Sequence, residues 1–131
     1  MTNVMVVEDS AGIRKLIRAS VEAAGGSVVA EASGESRAVQ AVSSLNPDLV
    51  VVDIRLEEGN GFGVIQRLRR QLPNLIIIVL TWQDRTQFEP ICLQYGADYY
   101  FEKSANEYLE FEATLKALMA RDVGAVNTAR V

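Results

Sequence analysis

Five short apolar runs, each followed by a segment with helical spacing, leave this 131-residue chain few folds to choose from. Val4 to Val7, Val28 to Ala32, Leu49 to Asp53, Leu75 to Leu80 and Asp98 to Phe101 read as strands. Leu49-Val50-Val51-Val52 has no polar alternation, which is the pattern of a strand covered on both faces. Ser10 can cap a helix with Ile13, Leu16, Ile17, Val21 and Ala24 on one face, stopped at Gly25-Gly26. A second helix from about Glu35 turns Ala38, Val39, Ala41, Val42 and Leu45 inward and breaks at Asn46-Pro47. Gly61 to Leu72 is amphipathic through Val64, Ile65, Leu68 and Leu72, and Pro73-Asn74 ends it. A fourth helix leads into Gly96, and a last one runs from Asn106 to about Arg121 with Leu109, Leu115, Leu118 and Met119.

Strict strand-helix alternation implies a parallel sheet with helices on both faces, joined by right-handed crossovers. The expected fold is α/β, a flavodoxin-like doubly wound (βα)5 with a five-stranded sheet in the order 2-1-3-4-5. The polar residues that end the strands support this order. Glu8-Asp9 follow the first strand, Asp53 the third, Thr81 the fourth and Lys103 the fifth, while the second ends blandly in Ala32-Ser33. With the first and third strands adjacent, these ends converge on the crevice at the topological switch point, where open parallel sheets keep their sites. One domain is expected over residues 1–121, with a disordered C-terminal tail over 122–131 and no second module.

The net charge of −4 and pI near 4.8, with no basic run longer than Arg69-Arg70, argue against direct nucleic-acid binding. The apolar run at the N-terminus is too short for a signal peptide or membrane span, so a cytoplasmic location is expected. The lone Cys92 excludes an internal disulfide and reads as a core residue. With no histidine, the chain has no catalytic triad, no histidine general base and no phosphohistidine of its own.

Asp53, at the end of a buried strand, is costly unless it is paired, ligating or reactive. Alone it reads as a turn cap. With Glu8, Asp9 and Lys103 at the corresponding strand ends it reads as part of a site. Hard carboxylate oxygens on short loops suit magnesium, which keeps waters and accepts a phosphate oxygen. A carboxylate can attack phosphorus when a metal and a lysine neutralise charge on the transferring oxygens. Thr81 brings a hydroxyl that can donate to such an oxygen.

Glu8-Asp9, Asp53 with Gly61 eight residues on, Thr81, and Gly96-Ala97-Asp98-Tyr99-Tyr100-Phe101-Glu102-Lys103 together resemble a response-regulator receiver domain of two-component signalling. The resemblance covers all but the tail. It implies that Asp53 is the phosphoacceptor, that Asp9 ligates magnesium directly and Glu8 through water, and that the Arg55 carbonyl is a further ligand. It implies that Lys103 grips the phosphoryl group, and that Thr81 and Tyr100 form a switch pair, Tyr100 turning inward as Thr81 moves. The donor would be a phosphohistidine on a histidine kinase or histidine phosphotransfer protein, and the domain would catalyse its own phosphorylation and dephosphorylation. The output would be a partner protein bound by the face of the fourth helix, fifth strand and fifth helix. A phosphorelay intermediate and a phosphorylation-independent scaffold are the alternatives. A haloacid-dehalogenase-like phosphatase fits less well, since Arg55 stands where its second acid belongs.

Four departures from the family pattern carry expectations of their own. Glu57 stands in place of a common proline and is expected to loosen its loop, with Glu58 adding negative charge near the site. Trp82 replaces a small residue, and its ring is expected to cover part of the pocket mouth. Ser104 replaces a proline after Lys103, and a trans bond is expected there. Pro90 lies inside the fourth helical segment; Thr86 with Glu89 could make a capping box just ahead, but the proline would disturb the turn so capped, which predicts a short helix beginning close to Pro90 and an irregular, mobile stretch from Gln83 to about Phe88.

Overall fold

The computed structural model describes residues 1–121, so the tail expected over 122–131 lies outside the described residues. The elements alternate as read: β1 (Asn3–Val7), α1 (Ala11–Ala23), β2 (Ser27–Ala32), α2 (Glu35–Leu45), β3 (Leu49–Val52), α3 (Gly61–Gln71), β4 (Ile76–Thr81), α4 (Arg85–Tyr95), β5 (Tyr99–Glu102) and α5 (Ala105–Ala120). All paired strands are parallel and the sheet order is β2-β1-β3-β4-β5, the doubly wound order expected from the sequence.

Side-chain alternation divides the core into two layers. Met5, Val7, Val50, Val52, Ile77, Val79 and Tyr100 point toward Ala38, Val42, Val64, Ile65 and Leu68 of α2 and α3 and Cys92 of α4. Val4, Val6, Leu49, Val51, Ile78, Leu80 and Phe101 point the other way, toward Ile17 and Val21 of α1 and Phe111, Leu115 and Leu118 of α5. The unbroken valine run of β3 is therefore buried on both faces, as such a run requires. Cys92 is a buried core thiol, and burial pushes its pKa up to about 12.

Not every apolar position faces inward. Leu16, Leu45 and Leu109 are exposed; Leu16 and Leu109 line an open cavity of about 550 Å³ with Ile13, Trp82, Lys103 and Tyr108. Trp82 is 67% exposed and forms part of the wall of that cavity.

The fourth helix overturns the reading of Pro90. It is regular from Arg85, five residues ahead of the proline, and Asp84 rather than Thr86 is its cap, accepting from Gln87 N at 3.1 Å. Pro90 removes one hydrogen bond toward the Thr86 carbonyl, but the first turn is held from outside. Arg85 N donates to Glu102 Oε2 at 2.7 Å, and its guanidinium reaches Glu89, Glu107 and the Tyr100 carbonyl. Tertiary anchoring thus outweighs the local cost of the proline.

Candidate functional site

The C-terminal ends of β1, β3 and β5 deliver Glu8, Asp53 and Lys103 to one point. The Lys103 ammonium donates to Glu8 Oε1 and to Asp53 Oδ2, both at 2.7 Å. All three side chains are nearly enclosed, so this is a buried ion triad that carries one more negative than positive charge when both acids are ionised. Asp9 stands beside it on the exposed side, and one oxygen from each of Glu8, Asp9 and Asp53 lies within 4.8 Å of the others. Those three hard oxygen donors fit a divalent cation that keeps part of its water shell. Thr81 ends β4 fully buried, its carbonyl accepting from Lys103 N at 2.8 Å and its hydroxyl from Gln83 N at 3.4 Å.

Electrostatics follow from the enclosure. Burial pushes the Glu8 carboxyl up to about 7, against the opposing pull of Lys103. Burial alone would lower the Lys103 ammonium, yet its hydrogen bonds to Asp53 and Glu8 outweigh that and leave it above its ordinary value. Ser10 N donates to Glu8 Oε2 at 3.0 Å, and Arg14 Nη1 donates to the Glu8 carbonyl at 2.6 Å, fixing the loop that carries both β1 acids.

The backbone after Asp53 turns sharply. Gly61 N donates to the Ile54 carbonyl at 2.7 Å, and a Cβ on Gly61 would stand 2.2 Å from the Asp53 carbonyl oxygen. Only glycine lets α3 start this close to the strand that carries Asp53. Arg55 pairs with Asn60 across this turn, and Arg55 N lies 3.4 Å from Asp53 Oδ1. The loop is not loosened by Glu57. Its amide donates to the Ser33 carbonyl at 3.2 Å, and Glu58 is directed away from the acids to cap α2 through Ser36 N and Ser36 Oγ, both at 3.0 Å. No cis peptide bond occurs among the described residues, so the bond before Ser104 is trans as expected.

Tyr100 is already inward. Its ring is buried in the layer of α2 to α4, its hydroxyl donates to the Gln83 carbonyl at 2.7 Å, and Arg85 lies 5.5 Å from the ring centre. Arg14, Gln83 and Arg85 organise the surroundings, and spacing alone did not single out Arg14 or Arg85. A basic residue in the first turn of a helix, opposed to the helix dipole, is the one signal that could have drawn attention to them.

The comparisons agree with this geometry. The family model for the response regulator receiver domain matches residues 4–113. The KDP operon transcriptional regulatory protein KdpE of Escherichia coli is 33% identical over 92% of this chain and 52% of its own length. The alkaline phosphatase synthesis transcriptional regulatory protein PhoP of Bacillus subtilis is 31% identical over 90% of this chain and 48% of its own. The chain thus spans about half the length of these curated relatives. Among solved structures, the REC domain of AraT, a response regulator from Geobacillus stearothermophilus, superposes with a TM-score of 0.77 at 26% identity, covering 92% of this chain and 97% of that one. The receiver domain of Thermotoga maritima CheB has the same fold, with a TM-score of 0.76 at 19% identity, over 98% of this chain and 97% of that one. An acid-lysine crevice at the switch point of a 2-1-3-4-5 sheet, together with these matches, shows that the chain belongs to the response-regulator receiver domain family.

Proposed function

We propose that the chain is a phosphoryl-accepting switch in which Asp53 takes the phosphoryl group from a phosphohistidine on a histidine kinase or histidine phosphotransfer protein. The observation that carries this reading is the Lys103 ammonium bonded at once to Asp53 and Glu8, in a crevice shared with Asp9. A carboxylate oxygen of Asp53 attacks phosphorus, the P–N bond breaks, and the imidazole leaves with the electron pair. Lys103, exchanging one of its carboxylate partners for a phosphoryl oxygen, neutralises charge gathering there. Asp9 would hold magnesium directly, Glu8 through water and the Arg55 carbonyl from the loop; once bound, the ion supplies a second positive charge against the transferring oxygens.

The switch follows from what already surrounds Thr81. Its hydroxyl accepts from Gln83 N, so turning it toward a phosphoryl oxygen gives up that contact. The Gln83 carbonyl is in turn the acceptor for Tyr100, whose ring lies against Arg85. A shift at Thr81 is therefore felt at the start of α4 and on the face of α4, β5 and α5, where a partner protein would read it. A cytoplasmic location goes with this reading.

Incubation with acetyl phosphate and magnesium, followed by intact-mass measurement, tests the reading. One added phosphate is expected on the wild type, and none on Asp53→Asn or when magnesium is chelated. A wild type that stays unmodified would favour a scaffold that binds without phosphorylation.

A further inference from the structure

The turn that follows Asp53 is held by two carboxylates that belong to no part of the acid crevice. Glu58, in the turn, caps α2. Its carbonyl accepts from Glu35 N at 2.9 Å and its carboxylate from Ser36 N and Ser36 Oγ, which compensates for Gly34, an N-cap residue with no side chain to offer. Glu35 returns the contact from α2. Its Oε1 accepts from Asn60 N at 3.1 Å, and its Oε2 lies 3.3 Å from Arg67 Nη1.

The packing around the Glu35 carboxylate leaves no room for side chains. Gly59 has φ +71°, and a Cβ there would come within 2.5 Å of Glu35 Cβ. A Cβ on Gly63 would stand 2.3 Å from Glu35 Oε2 and 2.6 Å from its carboxyl carbon. Two glycines therefore make the slot in which this one carboxylate meets the Asn60 amide.

Asn60 is the residue paired with Arg55. Gly61 N bonds the Ile54 carbonyl, one residue outside that pair on each side, which makes Arg55 and Asn60 a pair that does not exchange its own N–H and C=O groups. The Asn60 amide is thereby free for Glu35, and the Arg55 carbonyl is not consumed by the turn. Holding Asn60 holds Arg55 opposite it, two residues from Asp53.

We propose that Glu35 and Glu58 are positioning residues for cation binding: a reciprocal clasp between α2 and the Asp53–Gly61 turn that fixes the Arg55 carbonyl beside the acid crevice. The proposal rests on the assignment of Arg55 as a ligand in the preceding section. Groups that orient ligands without touching the ion typically govern affinity by about ten- to a hundredfold.

Magnesium titration of the full chain, followed by amide NMR shifts and calorimetry, separates this role from simple charge. Glu35→Ala is expected to weaken magnesium binding about tenfold and to speed exchange of the Asn60 amide. Glu35→Gln keeps an acceptor for that amide while removing the charge, and is expected to stay within about twofold of the wild type. Gly63→Ala keeps the charge but displaces the carboxylate from its slot, and is expected to weaken binding as Glu35→Ala does. It favours the helix it sits in, so it remains informative if Glu35→Ala folds poorly. Binding by Glu35→Ala or Gly63→Ala as tight as that of the wild type would overturn the proposal, as would an equal loss in Glu35→Gln and Glu35→Ala. If the wild type itself bound no magnesium, the ligand assignment would fail before any variant was compared.

Discussion

The two loops that flank the acid crevice are built differently. The turn from β3 to α3 is tied to α2 by the Glu35 and Glu58 contacts and pressed onto the Asp53 backbone at Gly61. The connection from β4 to α4 is three residues long, Trp82 to Asp84. Gln83 N on Thr81 at 3.4 Å and the Tyr100 hydroxyl on the Gln83 carbonyl hold its middle, Asp84 ties its end to α4 as the cap, and Trp82 stands open to solvent. One side of the crevice is a fixed floor on which the proposed cation and phosphoryl group would be seated. The other is tied to neither α2 nor the Asp53 turn, and its contacts lead to α4 and Tyr100. A switch needs both, since a site that moved everywhere would bind weakly and one that moved nowhere would signal nothing.

Lys103 joins the two sides, its amide on the Thr81 carbonyl and its ammonium on Glu8 and Asp53, so removing it should break the comparison most severely. Lys103→Met leaves two buried carboxylates without a counter-ion and is expected to cost about 3 to 5 kcal/mol in denaturant unfolding near pH 8. A variant as stable as the wild type would mean that the triad does not exist in solution.

The next effect is a pH slope. Glu8 has an ordinary pKa of 4.5 and about 7 in the fold, so between these values the native chain holds more protons than the unfolded one. Its contribution is present in full below about 4.5 and is lost as pH rises to about 7, so metal-free stability should decline across that window. Glu8→Gln should remove this part of the decline, which the difference between denaturant midpoints measured from pH 4.5 to 8 reports. A steeper decline in Glu8→Gln would reverse the sign assigned to Glu8.

A smaller effect separates the buried acid from the exposed one. Near pH 8, where Glu8 is ionised, the triad has excess negative charge, so Asp53→Asn should raise the apo melting point, by about 1 kcal/mol in stability. Asp9→Asn should raise it less, because Asp9 is exposed and its repulsion is screened. Equal shifts, or a loss in both, would count against the unequal burial of the two carboxylates.

The floor of the site was more legible in the sequence than what holds it. Valine runs buried on both faces, polar residues at their ends and the crossover rule led directly to the sheet order and to Glu8, Asp9, Asp53, Thr81 and Lys103. Strand and helix limits differed mostly by a residue, as at β3, which ends at Val52 rather than Asp53. Glu35 read only as the start of the second helix and Glu58 only as added negative charge near the site, because their partners lie 25 and 22 residues away, beyond any local pattern. Pro90 misled for the same reason: its local cost is real, but the Arg85 contacts to β5 and α5 that offset it are tertiary. Leu16 lies at the edge of the face that buries Ile17 and Val21, whereas Leu109 lies on the side of α5 opposite Phe111, Leu115 and Leu118, so its apolar character alone misled.

Residue-resolved amide exchange, with and without magnesium and beryllium fluoride as the phosphoryl mimic, tests the contrast between fixed and responsive sides most directly. The amides of Ser36, Asn60 and Gly61 should exchange slowly in the metal-free protein and change little, while those of Gln83 to Phe88 should shift markedly when the mimic binds. Fast exchange at Asn60 and Gly61 that slows only with the mimic, beside an unchanged start of α4, would contradict it.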